Sequence, residues 1–276
     1  MQVLAQGELR KMRTELTDGK AHYQLVCGEQ QLPLNALLGQ RIGIRYSGAI
    51  KCLHCGRKTK KSFAQGYCYP CFTKLPECDS CIMSPEKCHF HLGTCRDPAW
   101  GEQFCFQTHI VYLANSSGIK VGITRATQVP TRWIDQGAVQ ALPILRVDSR
   151  LQSGVVEHLF KDQVADKTNW RTMLKGGIAP LDLKVERDRL FEGSARGLAE
   201  LEQRFGLQAL QRLNADEVSI EYPVLNYPLK VSSLNLDKTP EISGQLLGIK
   251  GQYLILDTGV INLRKYTSYE VEFCSE

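Results

Sequence analysis

Nine of the eleven cysteines lie between Cys52 and Cys105, and most are paired at the spacing of metal ligands. Cys52-Leu-His-Cys55 is followed by Cys68-Tyr-Pro-Cys71, then by Cys78-Asp-Ser-Cys81, Cys88, His91 and Cys95. A C-x2-C turn presents two thiolates to one ion, and two such turns close a tetrahedron. A segment of this length and composition buries too little apolar surface to hold itself, so bound ions must do so. The ladder therefore demands a small metal-built module set inside a larger chain.

The first quartet, Cys52, Cys55, Cys68 and Cys71, is complete. A closed site of four cysteines leaves no position for substrate, which makes its ion, expected to be Zn2+, structural. Gly56 follows the first pair and lets backbone amides turn toward the sulfurs. His54, inside that turn, reads as exposed rather than as a ligand. In the second set, Cys78, Cys81 and Cys88 supply three ligands and the fourth stays open. Cys95 would complete an all-cysteine site and is preferred to His91, which would complete a site of three cysteines and one histidine. His89 and Cys105 fit the spacing less well, and Cys105 reads better as a buried thiol. Cys27 and Cys274 have no partners in sequence and are expected in the core. Two structural zinc ions are expected in all.

The N-terminus has neither a basic start nor an apolar h-region, and no run of eighteen apolar residues occurs. These features predict a cytoplasmic protein without a membrane span, in a compartment where clustered thiols are reduced and bind metal. The net charge of +5 is unevenly spread. Residues 41–177 hold 19 Lys or Arg against 10 Asp or Glu, whereas residues 178–276 hold 11 against 15. The basic half is the half that carries the cysteines, so a polyanion, DNA or RNA in the first instance, is the expected partner there. Arg57, Lys58, Lys60 and Lys61, between the two ligand pairs of the first site, are the candidate contacts.

The order of patterns predicts an α+β chain of four parts. Residues 1–50 form a small β unit, with strands at Tyr23–Cys27 and Arg41–Tyr46. Residues 51–105 are the zinc module, ribbon-like or treble-clef-like. Residues 106–177 begin with a hairpin, Thr108–Ala114 and Ile119–Thr124 around an Asn115–Gly118 turn. Helices then follow from Pro130 to Gly137, and from a Ser153 cap to about Asp166. Residues 178–276 give helices over 194–213 and a β-rich C-terminal unit. The two ends share a loose strand–turn–strand order and read either as related units or as partners in pairing.

The third part resembles the GIY-YIG nuclease superfamily. That family has a small sheet whose first two strands carry the named motifs, with an arginine and a metal-binding glutamate on following helices and often a late asparagine. Here Ile110-Val-Tyr112 stands for the first motif and Lys120-Val-Gly122 for the second. Arg132, Glu157 and Asn169 follow in order. The resemblance covers roughly residues 106–175. It departs from the family in lacking the first glycine, in having Lys120 where a tyrosine is usual, and in its short connection between the motifs. Over nearly its whole length the chain is also similar to an uncharacterised bacterial family of unknown function, in which "KVGITR", "RWIDQGA" and "DKTNWR" stand beside a cysteine ladder.

The nuclease resemblance implies metal-dependent phosphodiester hydrolysis. Glu157 would hold one Mg2+ or Mn2+, Arg132 would bind phosphate oxygens, and Tyr112 would position or deprotonate the attacking water. Lys120 would add positive charge, Asn169 would orient local groups, and His109 is a further candidate for proton transfer. Read without the resemblance, the same residues are an i,i+4 pair (Glu157 and Lys161), an Arg132–Asp135 pair, a strand tyrosine and a helix cap. The resulting expectation is a zinc-containing nucleic-acid-binding protein acting as an endonuclease. Its alternatives are a non-catalytic DNA- or RNA-binding module and a protein-interaction adaptor.

Overall fold

The computed structural model describes residues 1–165 and 167–276. The chain opens with β1 (Gln2–Glu8), β2 (Arg13–Thr17), β3 (Lys20–Cys27), β4 (Gln30–Pro33) and β5 (Arg41–Lys51). The cysteine-rich part holds β6 (Lys58–Thr59), the short helices α1 (Tyr69–Lys74) and α2 (Ser80–Met83), α3 (Pro98–Cys105), and 3-10 turns at Pro76–Cys78, Pro85–Lys87 and Phe90–Leu92. Next come β7 (His109–Asn115), β8 (Ile119–Arg125), α4 (Thr131–Asp135), β9 (Gln140–Val147), α5 (Arg150–Phe160) and α6 (Trp170–Lys175). After α7 (Leu183–Gly193) and α8 (Ala195–Phe205) the chain returns to strands. These are β10 (Gln211–Arg212), β11 (Val218–Ser219), β12 (Glu241–Lys250), β13 (Tyr253–Leu256), β14 (Gly259–Asn262) and β15 (Tyr269–Ser275). The mixed α+β class agrees with the sequence pattern.

The two ends of the chain form one sheet, in the order β1-β15-β5-β12-β13-β14 with β6 on β5. Each end runs through a hairpin, a single 3-10 turn (Leu34–Leu37 and Leu263–Tyr266) and a long last strand. The last strands, β5 and β15, pair antiparallel, with Ile44 opposite Phe273. The first strand of each end then pairs with the last strand of the other, β1 with β15 and β12 with β5. Of the two arrangements the sequence left open, pairing is the one observed. Alternation drives it: Ala21, Tyr23 and Leu25 of β3, Ile42 and Ile44 of β5, and Val271 and Phe273 of β15 all point into one core.

The middle sheet runs β10-β9-β7-β8, with β11 also on β9, and β7 lies antiparallel to both neighbours. One face, with Tyr112 and Ala114, joins the core of the terminal sheet. The other, with Val111, Leu113 and Val121, buries Val156 and Phe160 of α5 together with Leu190 and Leu198 of α7 and α8. Strands buried on both faces read as continuous apolar runs, as His109–Ala114 does.

Helix α5 begins earlier than the Ser153 cap predicts. Ser149 accepts from the Gln152 amide, and the Gln152 side chain bonds back, completing a capping box. Ser153 is buried inside the helix, where its hydroxyl donates to the Arg150 carbonyl. The helix ends at Phe160, and the expected end near Asp166 lies outside the described residues. Residues 206–213, expected to be helical, hold instead a break at Gly206, whose φ is +106°, and then strand β10. Among the described residues, no helix is long and apolar enough to cross a membrane.

Candidate metal centre and anion-binding corner

The first cysteine pair sits in the turn between β5 and β6, and the second in the first turn of α1. Gly56 adopts a φ of +69°, and its amide bonds the Cys52 carbonyl at 2.9 Å, closing the knuckle. Cys68 caps α1, whose Pro70 suits a first turn where amides lack helical partners. The four sulfurs of Cys52, Cys55, Cys68 and Cys71 lie within 4.8 Å of one another. Cys55 Sγ and Cys68 Sγ are 3.7 Å apart. Sulfurs held at about 2.3 Å from a tetrahedral Zn2+ stand about 3.8 Å from each other, so the cluster has the dimensions of a structural zinc site. At Cys52, burial would raise the thiol, but the amides of Cys55, Cys68 and His54 outweigh it and lower it, favouring the thiolate that a metal needs. His54 is exposed, as expected of a knuckle residue outside the ligand set.

The second set of ligands is rearranged. Cys81, Cys88 and Cys95 line one small cavity, and Cys105 joins them. Cys78 is absent from that wall. It is buried toward the first site, where burial, Glu77 and Cys52 push its thiol up to about 11. His91 is exposed and faces a neighbouring groove with Phe106 and Leu151. A close group of Asp79, Cys81 and His89 also forms among the described residues. Spacing did not reveal Cys105, because α3 carries it back across ten residues of chain to the other thiols.

Arg57, Lys58, Lys60 and Lys61 are all exposed, and none is in an ion pair among the described residues. Lys61 lies over the Phe63 ring, 5.3 Å from its centre. The loop is therefore a free positive surface beside the zinc site.

On the middle sheet, Tyr112 stands directly opposite Gly122. Its ring crosses β8 so closely that a Cβ on Gly122 would lie 2.6 Å from the tyrosine oxygen. Trp133 of α4 packs edge-on at 6.0 Å, and the Tyr112 hydroxyl donates to Gln136 Oε1 at 3.1 Å. Burial pushes the Tyr112 phenol up to about 12, with Arg132 opposing and Glu157 adding to the shift. Arg132 of α4 and Glu157 of α5 are thus both near enough to Tyr112 of β7 to act on its phenol. The Arg132–Asp135 pair of the simpler reading does not form, because Asp135 bonds Lys11 and, at 2.8 Å, Gln252. Arg264, from the turn before β15, is close enough to Arg132 that burial and this second guanidinium both hold it below its usual value. Arg264 also donates through Nε to Gln65 Oε1, and Glu157 is partly exposed.

The other residues of the set have different surroundings. Lys120 shares the Tyr112 face by strand alternation but is buried, bridged to Ala165. Asn169 caps α6, accepting from Arg171 and Thr172 at 3.2 Å each, and its amide donates to Ser117. His109 is buried; its Nδ1 donates to the Gln107 carbonyl at 2.7 Å and its Nε2 has no partner. Burial, with Arg150 and Arg125 assisting, pushes it down to about 4, so it is neutral near pH 7.

No curated protein and no solved structure matches this chain. A family model described as a protein of unknown function, DUF2797, matches residues 39–271, and the chain therefore belongs to the DUF2797 family.

Proposed function

We propose that this is a zinc-stabilised nucleic-acid-binding protein whose Arg132–Glu157 corner is the phosphodiester site of a GIY-YIG-like, metal-dependent endonuclease. The observation that carries the reading is the nearness of Arg132 and Glu157 to Tyr112, from three separate elements, with Asp135 turned away to Lys11. The order of elements also agrees: two motif strands, then a helix bearing Arg132, a third strand, and a helix bearing Glu157.

In this reading Glu157 holds Mg2+ or Mn2+, hard cations that prefer carboxylate oxygen. The ion supplies Lewis-acid stabilisation of the phosphate when bound. Arg132, with Arg264 beside it, binds the non-bridging oxygens through its planar fork. The exposed Arg57–Lys61 loop holds the polynucleotide backbone on the zinc-module side. Tyr112 serves as the buried wall that orients Arg132, since a phenol with no exposed surface and a raised pKa is a poor base.

The burial of Tyr112 favours a second reading, binding without cleavage. One experiment separates the two: a panel of structured DNA and RNA, incubated with Mg2+, Mn2+ or EDTA. Under the nuclease reading, Glu157→Gln abolishes cleavage and leaves binding nearly intact, and Arg132→Ala slows cleavage about 10²- to 10³-fold. Cleavage by Glu157→Gln as fast as wild type would sink the nuclease reading. Tight binding with no cleavage of any substrate would leave only the binding module. No salt-dependent binding at all would exclude both.

A further inference from the structure

The zinc module contains a second cavity walled by sulfur. It is small, about 20 Å³, and largely enclosed. Cys81, Cys88, Cys95 and Cys105 line it, together with rings of Phe90 and Trp100. A space of this size takes about one water-sized occupant, but a buried water needs two to four polar partners. Thiols are weak hydrogen-bond partners and the rest of this wall is mostly apolar, so the cavity suits a soft cation better than water.

The four thiols share this wall, although their sulfurs do not all lie within 4.8 Å of one another, so an ion would have to draw them together. One cation, Arg150 of α5, reaches the chain beside Cys81. Arg150 donates through Nη2 to the Ile82 carbonyl, whereas its buried Nε has no hydrogen-bond partner. A buried guanidinium with an unmet donor calls for an acceptor nearby.

We infer that Cys81, Cys88, Cys95 and Cys105 bind a second structural Zn2+, with Arg150 balancing its thiolates. Four thiolates around Zn2+ carry a net charge of about −2, which is costly in a part-buried site unless a cation stands beside it. Arg150 stands beside that wall through its bond to the Ile82 carbonyl, and its unpaired Nε would gain a thiolate acceptor once the sulfurs gather on an ion. The competing set is Asp79, Cys81 and His89, which lies on the same cavity. Asp79, however, already pairs with Arg96 at 3.2 Å and accepts the Ser80 amide at the start of α2. His89 Nδ1 already meets Thr94 Oγ1 at 2.8 Å. These two groups are satisfied without an ion.

The site also has a mechanical consequence. Cys81 and Cys88 bracket the turn Pro85–Lys87, which lies against Gly154 of α5. A Cβ at Gly154 would come within 2.5 Å of Pro85 Cβ and 2.7 Å of the Glu86 nitrogen. An ion holding Cys81 to Cys88 would therefore fix the turn against the helix that carries Glu157, one turn further on. The inference does not depend on catalysis, so the site stands or falls apart from the nuclease reading.

The test is zinc content per chain, by elemental mass spectrometry, for full-length protein purified under reducing conditions without chelator. Wild type is expected to hold two equivalents. Cys105→Ser and Cys88→Ser should each lose one, and Cys78→Ser should keep both. Cys105→His, which retains a ligand at that position, covers the case in which the serine variant fails to fold. It should keep the second equivalent and, loaded with Co2+, show a weaker sulfur-to-cobalt band than wild type. A single equivalent in wild type would overturn the inference. So would a full complement in Cys105→Ser, or a disulfide joining any two of these cysteines. Loss of zinc in Asp79→Asn or His89→Gln, with Cys105→Ser unaffected, would move the site to the competing set.

Discussion

Gly122 and Tyr112 illustrate how one residue depends on another that no local pattern links to it. Glycine inside a strand weakens it by roughly 0.5–1 kcal/mol relative to alanine, so a glycine retained there has a packing reason. The reason here is the tyrosine ring, held between β8, Trp133 and Gln136 with no room to move. Gly122→Ala should destabilise the protein by about 1–3 kcal/mol, the usual cost of overpacking. Tyr112→Leu removes the offending ring atoms, so the double variant should be more stable than the sum of the single effects. Denaturant midpoints of the four proteins measure this, and strict additivity would mean that the ring is not what excludes a Cβ. Lys-Val-Gly was legible as a motif, and its glycine as a glycine. That it makes way for Tyr112 depends on the antiparallel register, which sequence does not print. Asn169 is the opposite case: its short polar side chain before Trp170 already reads as a helix cap, and the structure uses it so.

The elements of the zinc module are too short to stand without their ions. Helix α1 has six residues and β6 has two, and isolated elements of that length are marginal in water. Structural zinc contributes about 10–16 kcal/mol in comparable small modules, and that energy is folding energy. Removing zinc with a strong chelator, or making Cys68→Ser, should expose residues 52–74 to proteolysis and rapid amide exchange. The β7–β9 sheet should keep its protection, and restored zinc should reverse the chelator's effect. Protection of 52–74 that survives zinc removal would show that the first site is not structural. The first ligand quartet was readable because both pairs are local turns, a property of spacing alone. The thiols that share the second cavity, Cys105 in place of Cys78, were not legible because they come from two helices and two loops. Only the packing of α3 against α2 decides which thiols face the same cavity. The same limit applies to α5, where Ser149 and Ser153 are both acceptable caps until tertiary burial selects one.

At the scale of the whole molecule, the zinc module and the middle sheet are insertions between two halves of one sheet. Strand β15 pairs with both β1 and β5, so the C-terminal strand is structurally part of the N-terminal unit. Deleting residues 269–276 should therefore abolish amide protection in Gln2–Glu8 and Arg41–Lys51, far from the cut in sequence. Hydrogen exchange of the truncated chain would measure it, and protection kept in both strands would mean that residues 1–50 fold alone. The same arrangement brings Arg264, from the turn before β15, near enough to Arg132 on α4 to feel its charge. By itself the sequence determined the α+β class, the first metal quartet, the β7–β8 hairpin and the basic character of the middle. Each of these is written in short spacings or in period-2 and period-3.6 alternation, which act over a few residues. Only the tertiary structure decided the partners of the terminal strands, the thiols of the second cavity, and the nearness of Arg132 and Glu157 to Tyr112. Those depend on which apolar faces bury one another, and hydrophobic burial rewards area without specifying a partner in the chain.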